Sequence, residues 1–79
     1  MTTQSWTDDL GALTKNFTFH NFKEAMVFAQ KVGELAEKAN HHPDIIIHGY
    51  KYVQIILTTH DEGKVTEKDH ELAKEIDTL

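Results

Sequence analysis

Six of the 79 residues are histidine, and three of these, His41, His42 and His60, stand where the hydrophobic pattern of the chain breaks. An imidazole titrates at about pH 6.5 when unperturbed, so near neutrality it can give or take a proton. Two imidazoles in one site can supply both the acid and the base of an elimination, each worth roughly 10² to 10⁴ in rate. Glu37 lies one helical turn before His41. A lone histidine at a turn is ordinarily a solvated polar residue. Three at element ends, with a carboxylate nearby, argue for a cluster, because element ends are where a scaffold presents functional side chains. His20, His48 and His70 lack such context and read as surface or packing residues.

Other chemistries fit less well. There is no cysteine, so neither a thiolate nucleophile nor a disulfide is available. Zinc takes three or four His, Cys or carboxylate ligands. Adjacent histidines on extended chain point to opposite sides, which makes His41 and His42 poor co-ligands, and no metal site is expected. No serine has the surroundings of a nucleophile. The net charge is −5 and all eight basic residues are lysine, with no basic stripe and no arginine for bidentate phosphate or guanine contacts. Direct nucleic-acid binding is therefore not expected. No apolar run approaches the roughly 18 residues that span a bilayer. Met1 to Leu13 has neither a basic start nor a long apolar stretch, so no secretion signal is expected.

The elements that must position the histidines are legible in the periodicity. Trp6 to Leu10 reads as a short strand, and Leu13 to Phe19 as a longer one, with Leu13, Phe17 and Phe19 on one face and Lys15 as the exception there. The period then changes. Asn21 is a good N-cap with Glu24 three residues on, and apolar residues from Phe22 to Ala39 recur at helical spacing. Pro43 ends that helix. Asp44 to His48 and Tyr52 to Thr59 read as strands around Gly49. Asp61 to Lys64 reads as a turn, and Thr66 caps a last helix with Asp69 at its third position. The order β-β-α-β-β-α predicts one small α+β domain over 1–79, an antiparallel sheet with helices packed on one face.

The run Glu37-Lys38-Ala39-Asn40-His41-His42-Pro43-Asp44, the strand that ends Thr58-Thr59-His60, the turn at Gly63 and the helix with Asp69-His70-Glu71-Leu72-Ala73 together resemble the pterin-4a-carbinolamine dehydratase family. The likeness extends upstream to Trp6 and to Phe17-Thr18-Phe19, and covers about Trp6 to Ile76. His-His-Pro alone would be a weak signal; the ordered set is a strong one. Two departures stand out: only five residues precede Trp6, where the family usually has a further helix, and the stretch from Pro43 to Tyr50 is one residue longer than in many members.

The resemblance implies a substrate, 4a-hydroxytetrahydropterin, and a reaction, loss of its 4a-hydroxyl as water to give the quinonoid dihydropterin. It implies that His41 and His60 carry the acid–base work, that His42 mainly binds and places the pterin, and that Glu37, one helical turn before His41, orients or tunes it. It places pterin contacts on Asn40, His41 and His42 and on Thr58, Thr59, His60 and Asp61, with no cofactor and no metal. It implies a cytoplasmic homodimer or homotetramer without membrane contact, in which a strand such as Asp44 to His48 pairs with its copy. The alternative it carries is a non-enzymatic interaction module, since animal members also act as dimerisation cofactors of a homeodomain transcription factor.

Overall fold

The computed structural model describes residues 5–59 and 61–79. Met1 to Gln4, expected to lack order, and His60 lie outside the described residues. The elements are β1 (Thr7–Asp9), β2 (Ala12–Thr18), α1 (Phe22–Ala39), β3 (Asp44–His48), β4 (Tyr52–Leu57) and α2 (Glu67–Asp77). This is the expected β-β-α-β-β-α order. The four strands form one sheet in the order β1-β2-β4-β3, all pairs antiparallel. β3 is therefore an edge strand. β4 is shorter than its apolar pattern suggests: it ends at Leu57, and Thr59 makes only an isolated bridge to Lys64. The turn that follows captures the backbone there, because the Thr59 carbonyl accepts from the N–H groups of Glu62 and Gly63.

Period-two burial drives the sheet against the helices. Leu13 on β2 and Val53, Ile55 and Leu57 on β4 are buried, and they meet Ala25, Phe28 and Val32 of α1 and Leu72, Ala73 and Ile76 of α2. Phe28 packs between Phe17 and Phe19, with ring centroids 4.6 and 4.9 Å away. Burying side chains of this size contributes roughly 1.5 to 3 kcal/mol each. Lys15, the exception in the β2 alternation, does lie on the inner face. Its ammonium is 2.7 Å from Asp77 at the C-terminal end of α2 and 5.0 Å from the Phe17 ring centroid. Trp6 donates its indole N–H to the same carboxylate at 3.1 Å. A lysine thus fits the inner face because its charged end reaches the sheet margin and is partnered there.

Both helix starts follow their sequence signals. The Asn21 side chain accepts from the Glu24 backbone N–H at 2.8 Å. The Glu24 carboxylate reaches back one residue further than a standard capping box, to the backbone N–H of His20 at 3.1 Å. At α2 the Asp69 carboxylate accepts from the Thr66 backbone N–H at 2.9 Å.

Candidate active site

The break between α1 and β3 is built by Asn40. It adopts the left-handed conformation (φ 52°, ψ 43°), its N–H donates to the Glu37 carbonyl at 3.2 Å, and the His41 N–H donates back to the Ala36 carbonyl at 3.1 Å. This pair of bonds is a Schellman motif, and asparagine is one of the few residues that tolerates the backbone it needs. Asn40, expected as a pterin contact, thus has a clear structural role as well. It reverses the chain so that His41 and His42 leave α1 in different directions.

His41 turns inward. Its ring Nε2 lies 2.5 Å from Oδ1 of Asp69, and only 12% of its side chain is exposed. Asp69 is fully buried and belongs to the first turn of α2. Its other oxygen accepts from the Thr59 hydroxyl at 2.9 Å as well as from the Thr66 N–H. The Thr66 hydroxyl sits 2.6 Å from that of Thr59, so donation by Thr59 to Asp69 leaves Thr66 to donate to Thr59. Burial alone would push the Asp69 carboxyl up. The hydrogen bonds from His41, the Thr66 backbone and Thr59, with the charge on His41, outweigh it and hold the group below its ordinary value of 3.8. In the neutral imidazole an ionised acceptor on Nε2 holds the proton there and puts the lone pair on Nδ1; in the charged form both nitrogens carry protons.

His42 turns outward. Its Nε2 is 2.7 Å from Oε2 of Glu37, and 60% of its side chain is exposed. The family resemblance implies that Glu37 orients His41. The structure pairs it with His42 instead, because the left-handed turn at Asn40 folds His42 back over the last turn of α1 while His41 passes beneath α2. Around His42 lies a shallow groove lined by Gly33, Glu34, Glu37, Pro43 and Ile45. His41 opens on a separate cleft of about 280 Å³ against Lys68, Glu71 and Glu75 of α2.

The expected contacts on the other segment divide in the same way. Thr59 is buried and holds Asp69; Thr58 donates its hydroxyl to the Gly11 carbonyl at 2.7 Å; Asp61 is exposed in the following turn. His60, expected as the second acid–base group, lies outside the described residues. Among the described residues no group of three or more His, Cys, Asp or Glu could hold a metal ion. His20, His48 and His70 are all exposed. The residue that sequence reasoning misses is Asp69. Its sequence context signals only a helix cap, and the capping pattern Thr66-x-x-Asp69 says nothing of a histidine arriving from 28 residues away.

The family model for pterin 4 alpha carbinolamine dehydratase matches residues 1–79. The chain belongs to the pterin-4a-carbinolamine dehydratase family. Two relatives provisionally named as that dehydratase are similar over nearly the whole chain. One, from Thermomicrobium roseum, is 47% identical over 94% of this chain and 78% of its own length. The other, from Sulfurisphaera tokodaii, is 47% identical over 96% of this chain and 81% of its own. Among solved structures, a transcriptional coactivator/pterin dehydratase from Brucella melitensis superposes with a TM-score of 0.82 at 35% identity, covering 95% of this chain and 78% of that one. A pterin dehydratase-like protein identified as a RuBisCO assembly factor in the alpha-carboxysome superposes at 0.78 with 26% identity, covering 95% and 88%. No helix among the described residues of this dehydratase-family chain is long and apolar enough to cross a membrane.

Proposed function

We propose that the chain dehydrates 4a-hydroxytetrahydropterin in the recycling of a tetrahydropterin cofactor. The reaction breaks the C4a–O bond, removes the N5 proton and forms the N5=C4a double bond, so that water leaves without any redox change. It needs one proton delivered to the departing hydroxyl and one accepted from N5. The observation that carries the reading is the dyad of His41 and buried Asp69 within a family chain. Asp69 holds the His41 proton on Nε2 and leaves Nδ1 free for a substrate proton, the arrangement in which a carboxylate orients an imidazole for acid–base work. His60 is the complementary group. His42, held by Glu37, binds and places the pterin with Thr58, Asp61 and Asn40, while Thr59 supports the site from beneath by holding Asp69. The same imidazoles need no cofactor and no metal.

The reading extends to assembly. The open edge of β3 suits pairing with a second copy, which would satisfy unpaired backbone groups in a symmetric dimer of a cytoplasmic enzyme. Sedimentation at micromolar concentration should give a dimer or tetramer; a folded, active monomer would sink that part.

Chemically generated 4a-hydroxytetrahydropterin tests the activity. The wild type should speed its dehydration. His41→Ala should lower kcat by about 10² or more, since it removes a proton-transfer group, whereas His42→Ala should mainly raise KM. Equal loss from His48→Ala would show that the wrong histidines were chosen. A second reading, an interaction module without turnover, is favoured by one observation: of two solved neighbours, one is described as a transcriptional coactivator/pterin dehydratase and the other as a dehydratase-like RuBisCO assembly factor. Absence of turnover in the wild type would select it.

A further inference from the structure

The turn between β1 and β2 carries a residue that local structure does not call for. Asp9 pairs with Ala12, so Leu10 and Gly11 form a two-residue hairpin loop, and both have positive φ, 53° and 79°. Loops with positive φ at both positions strongly favour Asn-Gly or Asp-Gly, because asparagine, aspartate and glycine tolerate the left-handed region and branched apolar residues do not. Leucine is strained there, and its side chain is 98% exposed, so no burial compensates the strain.

The loop is not free-standing. The Thr58 hydroxyl donates to the Gly11 carbonyl at 2.7 Å, and a Cβ on Gly11 would come within 3.3 Å of the Gly63 carbonyl oxygen. The hairpin tip therefore rests on the turn bridged by Thr59 and Lys64, to which Asp61 belongs. β4 lies between β2 and β3 in the sheet, so its end is flanked by the Leu10–Gly11 tip on one side and by the chain entering β3 from His42 and Pro43 on the other. Strands two apart are roughly 10 Å from each other, a span suited to a flat bicyclic ring. We infer that Leu10 is a substrate-binding residue: its exposed side chain forms an apolar lip on the side of the site away from His42 and covers the pterin when it binds.

This inference rests on the proposed dehydratase activity, and the experiment separates the two. Leu10→Asn keeps a residue suited to the left-handed turn while removing the apolar side chain. It should raise Tm, by about 4 °C or more as strain is released, and at the same time raise KM for 4a-hydroxytetrahydropterin about tenfold, the equilibrium equivalent of partly covering one leucine side chain. kcat should stay within about twofold. Leu10→Met should restore KM without the gain in Tm, and the sedimentation of both variants should match the wild type. A purely structural turn would show the higher Tm with KM unchanged, which overturns the inference while leaving the activity standing. A Leu10→Asn variant that dissociates assigns the side chain to a contact between copies and also overturns it. No turnover by the wild type defeats the activity, and this inference with it.

Discussion

His41 and His42 are neighbours in the chain and each bonds a carboxylate, yet the two pairs have little else in common. The His41–Asp69 pair joins two elements, has a fully buried carboxylate and takes three hydrogen bonds at that carboxylate from His41, Thr59 and the Thr66 backbone. The His42–Glu37 pair is local in sequence, with 60% and 76% of its side chains exposed. Water competes for every polar atom of the second pair, and exposed ion pairs contribute only about 0 to 1 kcal/mol. Around the first pair competition is nearly absent, so removing one member strands the others. One dyad is therefore architecture and candidate chemistry at once; the other is an adjustable contact at the rim of a groove.

The largest effect that would break this contrast comes from Asp69→Asn. An amide keeps the shape but loses the charge, and its NH2 faces donors where the carboxylate accepted. The helix cap, worth about 1 kcal/mol, and a charge-assisted hydrogen bond, worth about 1.5 to 3 kcal/mol, are both affected. A loss of about 3 kcal/mol in stability is expected, read as a lower urea midpoint. Activity should fall with His41→Ala, and the double variant should be little worse than either single one, because the two act as a unit. Additive losses would show that Asp69 and His41 work separately.

Acid should distinguish the same two regions. The folded protein holds Asp69 below 3.8 while the unfolded chain protonates it near that value. Between the two, the unfolded state binds the extra proton, so stability is lost as pH falls. The contribution of this group is fully present above about pH 4 and is lost as pH drops through the lower, folded value. Urea midpoints followed from pH 7 to pH 2 should show a steeper acid loss in the wild type than in Asp69→Asn. Parallel curves would mean that Asp69 is no more stabilised in its ionised form than in an open chain.

Much of this architecture is legible in the sequence. The alternation of β2 and the 3.6-residue period of α1 follow from burial on one face, and both helix starts follow from short-range capping; each rests on interactions a few residues apart. β3 can be placed at Asp44–His48 because proline fixes where α1 can no longer run. Three features are not legible. Lys15 breaks its strand pattern because its partner, Asp77, lies 62 positions on. The family resemblance assigns Glu37 to His41, one helical turn on, and that count of residues ignores the left-handed Asn40 that sends the two histidines apart. Asp69 has two jobs through one carboxylate, and the local one, capping α2, masks the distant one. In each case the deciding contact is tertiary or depends on a backbone angle, and neither is encoded in spacing.

Glu37→Gln should give the smallest effect, and it tests the other side of the comparison. The substitution preserves length and one acceptor while removing the charge, and both members of the pair are mostly solvated. Stability should change by less than about 0.5 kcal/mol, the usual bound for surface positions. If Glu37 serves only to steer His42 in placing the pterin, KM should rise about two- to threefold with kcat unchanged, because what is lost is uniform binding. The effect should shrink further in about 0.5 M salt, where the screening length is about 4 Å and exposed charges scarcely couple. A large fall in kcat from Glu37→Gln, persisting in salt, would give this exposed carboxylate a part in proton transfer. The division between a locked dyad and an adjustable one would then be wrong, since Glu37 would be acting on the reacting atoms despite its exposure.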